Sequence, residues 1–113
     1  PDSETPEQSF KREWAQAILG DALREMEREY AALGWGARYQ IFLAHEVDPP
    51  AEGTPSYEDL AKKFDLSVTD VRNHLHQARK ALRQIVLNRV ADTVTGEKDL
   101  EEEMHDLFSA WGD

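Results

Sequence analysis

Apolar residues recur at three- and four-residue steps through the first third of the chain: Phe10, Trp14, Ala17, Ile18, Ala22, Met26, Tyr30 and Leu33. That spacing gathers side chains on one side of an α-helix. A start signal precedes the stripe in Thr5-Pro6-Glu7-Gln8. Thr5 can accept from the backbone of the first turn, Pro6 suits the first helical position, and Gln8 completes a capping box. The pattern predicts a helix from about Pro6 to Leu33, closed by Gly34. Gly20 lies inside it at a cost of roughly 1 kcal/mol relative to Ala, which points to close packing or a slight bend there.

Tyr39, Phe42, Leu43 and Val47 form a second, shorter stripe between Gly36 and Val47, able to fold back on the first helix. The stretch Asp48-Pro49-Pro50-Ala51-Glu52-Gly53-Thr54-Pro55 cannot sustain regular hydrogen bonding and reads as a surface loop. From Ser56 to Thr95 there is neither Gly nor Pro. Two start signals fall in this stretch, Ser56-Tyr57-Glu58-Asp59 and Ser67-Val68-Thr69-Asp70, each with a Ser three residues before a carboxylate. They predict helices over about 57–64 and 68–94. After Gly96, Leu100, Met104, Leu107, Phe108 and Trp111 make another helical stripe beside acidic residues. The expected fold is all-α, a bundle of about five helices. Residues 1–55 supply a helical platform and loop, 56–95 a helix-turn-helix with an extended second helix, and 96–113 an acidic amphipathic helix. Together they form one compact domain without internal repeats.

Composition narrows the classes. With 40% apolar and 32% charged residues, the balance suits a globular chain, and no apolar run approaches the roughly 20 residues a bilayer span requires. Absence of cysteine excludes a disulfide scaffold or a cysteine-ligated zinc. The N-terminal PDSETPEQ has no initiator Met, basic segment or apolar h-region, so the reading is a fragment or processed product without a secretion signal, at home in the cytoplasm. A net charge of −10 ordinarily argues against nucleic acid. The charge is unevenly placed, however: residues 1–55 carry 5 basic and 11 acidic groups, 56–89 carry 7 and 4, and 90–113 carry 1 and 8. Between Val71 and Ala91 there is no acid, while Arg72, Arg79, Lys80, Arg83 and Arg89 supply five positive charges beside His74 and His76. A cationic island of this kind marks a candidate nucleic-acid surface.

The helices over 57–64 and 68–94, joined through Asp65-Leu66-Ser67, carry the apolar residues that lock such a pair. Leu60, Ala61, Phe64 and Leu66 face Val71, Leu75 and Ala78, and the small Ala61 permits a close crossing. In a helix-turn-helix the second helix presents its N-terminal, outward side chains to the major groove, and the first lies across the backbone. With Val68, Val71, Leu75, Ala78, Leu82 and Ile85 as the buried stripe, Thr69, Arg72, Asn73, His76, Gln77 and Lys80 point away from it. Arg and Asn read G and A edges through paired hydrogen bonds, which makes Arg72 and Asn73 the base-reading candidates. Arg79, Lys80 and Arg83, farther along, fit phosphate contacts.

The stretch from Ser56 to Ile85, SYEDLAKKFDLSVTDVRNHLHQARKALRQI, closely resembles region 4 of bacterial RNA polymerase sigma factors, particularly the extracytoplasmic-function group. The shared pattern LS-V-x-x-V-x-x-x-L-H-x-A-R-K-A-L is more specific than a generic helix-turn-helix and covers about a quarter of the chain. The resemblance implies a domain that reads a promoter −35 element in the major groove while docking on the flap of RNA polymerase. Carried over by position, Arg72, Asn73, His74, His76 and Arg79 would lie at or near DNA, with Thr69 opening the recognition helix. The implied partners are double-stranded promoter DNA and the bacterial RNA polymerase core, with room for a regulator of the anti-sigma type and no membrane. His74 and Gln77 stand where the family often has Arg or Lys, and Asp70 replaces a usually neutral residue. These departures lower the positive charge at the groove and predict weak, strongly salt-dependent binding. The module that contacts core polymerase and melts the −10 element in a complete sigma factor has no counterpart in this sequence, so the chain alone is not expected to initiate transcription.

Other groups have plainer readings. Asp70 is read as a cap carboxylate, favoured near a helix N-terminus. His74 and His76 are about 200° apart around a helix and do not form a metal pair. His45 and His105 are read as solvated, Trp14 as core, and Trp35 as an exposed residue in a Gly-flanked turn. There is no Gly-rich phosphate loop and no nucleophile with a base at meaningful spacing, so the expectation is a non-enzymatic protein with no cofactor and no metal. Two rival functions remain: a helical protein-interaction module that binds polymerase or a regulator without touching DNA, and a self-associating regulator. The acidic C-terminal stripe either completes the core or lies over the Arg72 to Arg83 face and competes with phosphate.

Overall fold

A computed structural model describes residues 5–92 and His105. These residues are helical, without strands: α1 (Pro6–Ala32), α2 (Gly36–Phe42), a π-helical turn (Leu43–Val47), α3 (Tyr57–Phe64) and α4 (Val68–Ala91). The described residues thus hold four α-helices where about five were expected. The expected fifth, over 96–113, lies outside the described residues except for His105, which is exposed.

Helix α1 begins with the anticipated box. Gln8 N–H donates to Thr5 Oγ1 at 3.1 Å, Thr5 N–H donates to Gln8 Oε1 at 3.0 Å, and Pro6 opens the helix. It ends where Gly34 takes a positive φ of 76°, a conformation that costs glycine little. Trp35 N–H reaches back to the Tyr30 carbonyl at 2.8 Å and Gly34 N–H to that of Ala31 at 3.1 Å. This is the paired closure of a Schellman motif, and its apolar contact is the edge-on packing of Trp35 on Tyr30, with ring centroids 5.4 Å apart. Trp35 is therefore half-buried against the core, a correction to its expected exposure. Its outer face is covered by the Arg38 guanidinium, 4.1 Å from the ring centre.

The buried side of α1 is Ala15, Ile18, Ala22, Met26 and Tyr30. Phe10 and Leu33, assigned to the stripe from sequence, are 66% and 57% exposed, and Ala17 is also exposed. Four-residue steps gain about 40° each, so Phe10 has rotated about 80° from Ile18, away from Ala15 and Ala22. Leu33 falls after the last helical residue, where the chain is already leaving. Around Gly20 the surroundings are open: a Cβ added there would meet only the Arg24 guanidinium, at 3.8 Å. No close approach accounts for the glycine.

Helix α4 is the centre of the assembly, packing against α1, α2 and α3. It buries Val71, Leu75, Ala78, Leu82, Ile85, Val86 and Val90. Opposite them stand Met26 of α1, Ile41 and Phe42 of α2, and Leu60 of α3, all fully buried. Burial of side chains this size contributes about 1.5–3 kcal/mol each. Val68, expected in the stripe, is only half-buried at the helix start. None of the described helices is long and apolar enough to cross a membrane.

Candidate nucleic-acid interface

Two serine caps place the helix pair. Asp59 N–H donates to Ser56 Oγ at 3.0 Å and Ser56 N–H to Asp59 Oδ2 at 3.3 Å, so Tyr57 is held as the first residue of α3. At the second start Asp70 N–H donates to Ser67 Oγ at 3.0 Å, but the reciprocal bond of a full box is not formed. Between them, Asp65 adopts a left-handed conformation, φ 58° and ψ 52°, and lets Leu66 N–H return to the Ala61 carbonyl at 2.9 Å. Leu66 packs against the core from this corner. The corner joins α3 to α4, and the two helices pack against each other.

On α4, Thr69, Arg72, Asn73, His76, Gln77 and Lys80 are all exposed. They occupy one side of the helix, within about 70° of a common line, opposite the buried stripe. This row offers a guanidinium, an amide pair, an imidazole, a hydroxyl and an ammonium, a set able to donate to and accept from base edges and phosphates. Lys62 and Lys63 of α3 are exposed as well.

Three sequence candidates are less exposed than this row. His74 is half-buried, and burial, reinforced by the Arg38 charge and opposed by Asp70, holds its pKa below the usual histidine value. It is a neutral flank residue at neutral pH. Arg83 lies on the same side of the helix, farther along, but is half-buried. Arg79, expected as a phosphate contact, turns inward to Glu46 of the π-helical turn. Its Nε donates to Glu46 Oε1 at 2.6 Å, its Nη2 pairs with the same oxygen, and the side chains are only 16% and 11% exposed. Tyr57 also lies close to Arg79 and favours its charged form. Burial works against the Arg79 charge, but the bond and charge of Glu46, with Tyr57 nearby, outweigh it and hold the pKa above its ordinary value. Arg89 is likewise engaged by α1: its Nη2 lies 2.8 Å from Glu25 Oε1 and its Nη1 4.0 Å from Asp21 Oδ2. The cationic island is smaller at the surface than along the chain.

Sequence reading missed Glu46 and Tyr57. Glu46 lies beside His45, which is half-buried rather than solvated: its ring packs on Tyr57 at 5.2 Å between centroids, and its Nδ1, 3.4 Å from Glu46 Oε1, is buried without a hydrogen bond. The Arg72 guanidinium lies over the Tyr57 ring, 5.8 Å from its centre. His45, Glu46, Tyr57, Arg79 and Arg72 therefore make one chain of contacts running from the π-helical turn to the exposed row. Among the described residues, no three His, Asp or Glu side chains are grouped to hold a metal ion.

No protein-family model, curated protein or solved structure was found to match the chain.

Proposed function

We propose that this chain is the DNA-binding part of a sigma-factor-like transcription initiation protein, with α3, the corner at 65–67 and α4 acting as a helix-turn-helix. The observation that carries the reading is the exposed row Thr69, Arg72, Asn73, His76, Gln77 and Lys80 on one side of α4. In this reading the first half of α4 enters the major groove and recognises a −35-type promoter element. Arg72 and Asn73 read base edges, Thr69, His76 and Gln77 line the contact, and Lys80 with α3 Lys62 and Lys63 holds phosphates. The remaining surface docks on RNA polymerase, which supplies affinity that a chain of net charge −10 lacks alone.

The test is binding of the chain to duplexes enriched from a randomised pool, followed by fluorescence anisotropy across a salt series. Expected is a preferred sequence bound with steep salt dependence. Arg72→Ala should cost about 1–3 kcal/mol and relax preference at one base position. Lys80→Ala should weaken all duplexes alike and reduce the salt slope by about 1. Salt-independent binding, or no enriched sequence, overturns the reading.

One observation favours the interaction-module alternative. Leu87, two turns beyond Lys80 on the same side of α4, is 43% exposed, while Arg79 and Arg89 are turned inward to acids. A face with that composition suits a protein surface of polymerase or a regulator. In that case Arg72→Ala leaves duplex binding unchanged and Leu87→Asp abolishes capture of the protein partner.

A further inference from the structure

Arg72 is the residue on which sequence discrimination rests in the DNA reading of α4, and an arginine has enough rotamer freedom to make a poor reader unless something orients it. Its surroundings supply such a group. The Tyr57 ring lies beneath the Arg72 guanidinium, 5.8 Å from Cζ to ring centre, within the range where a cation is attracted to an aromatic face.

Tyr57 itself is fixed from several directions. The Ser56 box sets its backbone at the first position of α3. Its ring packs on His45. Its hydroxyl lies near enough to Arg79 to favour that residue's charge, and the Arg79 guanidinium is anchored by Glu46. The ring is half-buried, so one part remains available to Arg72. Arg79 thus spends its charge on holding the platform and leaves groove contact to Arg72.

We propose that Tyr57 is a positioning residue that determines base specificity: its ring, held by His45 and the Glu46–Arg79 pair, is the platform that aims the Arg72 guanidinium into the groove. The inference rests on the DNA reading above and adds a residue of the first helix that makes no base contact of its own. The ring is the working part. The hydroxyl serves the platform's rigidity.

The experiment is a comparison of Tyr57→Leu, Tyr57→Phe, Arg72→Ala and the Tyr57→Leu/Arg72→Ala double variant in the full chain. Each is titrated with the preferred duplex and with the duplex altered at the base pair Arg72 reads, and folding is monitored by circular dichroism. A wild-type preference of about tenfold should fall to about threefold or less in Tyr57→Leu and persist in Tyr57→Phe. In the double variant the preference should match that of Arg72→Ala alone, because Tyr57 acts through Arg72. A purely structural role for Tyr57 would weaken both duplexes together and leave their ratio intact. Undiminished preference in a folded Tyr57→Leu, or a further loss in the double variant, overturns this inference and leaves the DNA reading standing. A wild type that shows no preference overturns the DNA reading and this inference together.

Discussion

Arg79 and Glu46 show how a single residue's assignment turns on a partner far away in the chain. The pair is nearly enclosed, and truncating one member strands the other charge in poor solvation. Glu46→Ala should therefore lower stability by about 1–3 kcal/mol, read as a reduced urea midpoint. Replacing both members together, Glu46→Met with Arg79→Leu, should recover much of that loss, since apolar side chains of similar size need no partner. His74 makes a second residue-scale prediction. Its folded pKa is depressed, so the unfolded chain binds the proton more readily and stability rises with pH across the interval between the two values. On acidification from pH 7.5 the loss begins as the unfolded histidine titrates, near about pH 6.5, and levels off below the folded value. A series of urea midpoints from about pH 7.5 to 5.5 should show this decline in the wild type and a flatter profile in His74→Gln. An equal decline in both would assign the effect elsewhere.

At the scale of elements, helix ends carry most of the local information. Ser67 supplies the cap bond that starts α4, and Ser67→Ala should destabilise by about 1 kcal/mol. Gly20 offers the opposite change. Because an added Cβ meets nothing closer than 3.8 Å, Gly20→Ala should raise the thermal midpoint, by about 0.5–1 kcal/mol in stability. Elements were also what could be read along the chain. α1, α3 and the start of α4 lie where Thr5-Pro6, Ser56 and Ser67 announced them, because caps and periodicity act over four residues. The outward row from Thr69 to Lys80 was legible for the same reason, since the buried stripe of α4 defines its opposite side. What could not be read was tertiary. Phe10 is apolar and periodic, yet a stripe advancing by fours drifts around its helix, and local spacing does not say where the neighbour ends. Arg79, Arg89 and His45 looked solvent-facing because their partners Glu46, Glu25 and Tyr57 come from other elements.

For the whole molecule, charge placement is the governing feature. Net charge is −10, with acids concentrated outside the segment 56–89. In the DNA reading, such a chain would approach DNA against its own field, and the exposed row on α4 would have to act locally within a Debye length of about 10 Å at 0.1 M salt. Neutralising Glu101, Glu102 and Glu103 as glutamines changes the net charge from −10 to −7 without altering α4. The proposed DNA binding should then strengthen at low salt, with the advantage shrinking as salt is added. An advantage that persists at high salt would point to something other than long-range repulsion.

The π-helical turn at Leu43–Val47 has a consequence for how such a chain tolerates insertions and deletions. A π-turn amounts to one extra residue wound into a helix, and every side chain after it faces a different direction than α-helical winding would give. Glu46 meets Arg79 in that altered phase. Shortening the turn by one residue, for example by deleting Ala44, would re-phase the segment by roughly a quarter turn and present another side chain to α4. Related chains that differ in length here would be expected to differ in whether that arginine stays captured or is released to the surface.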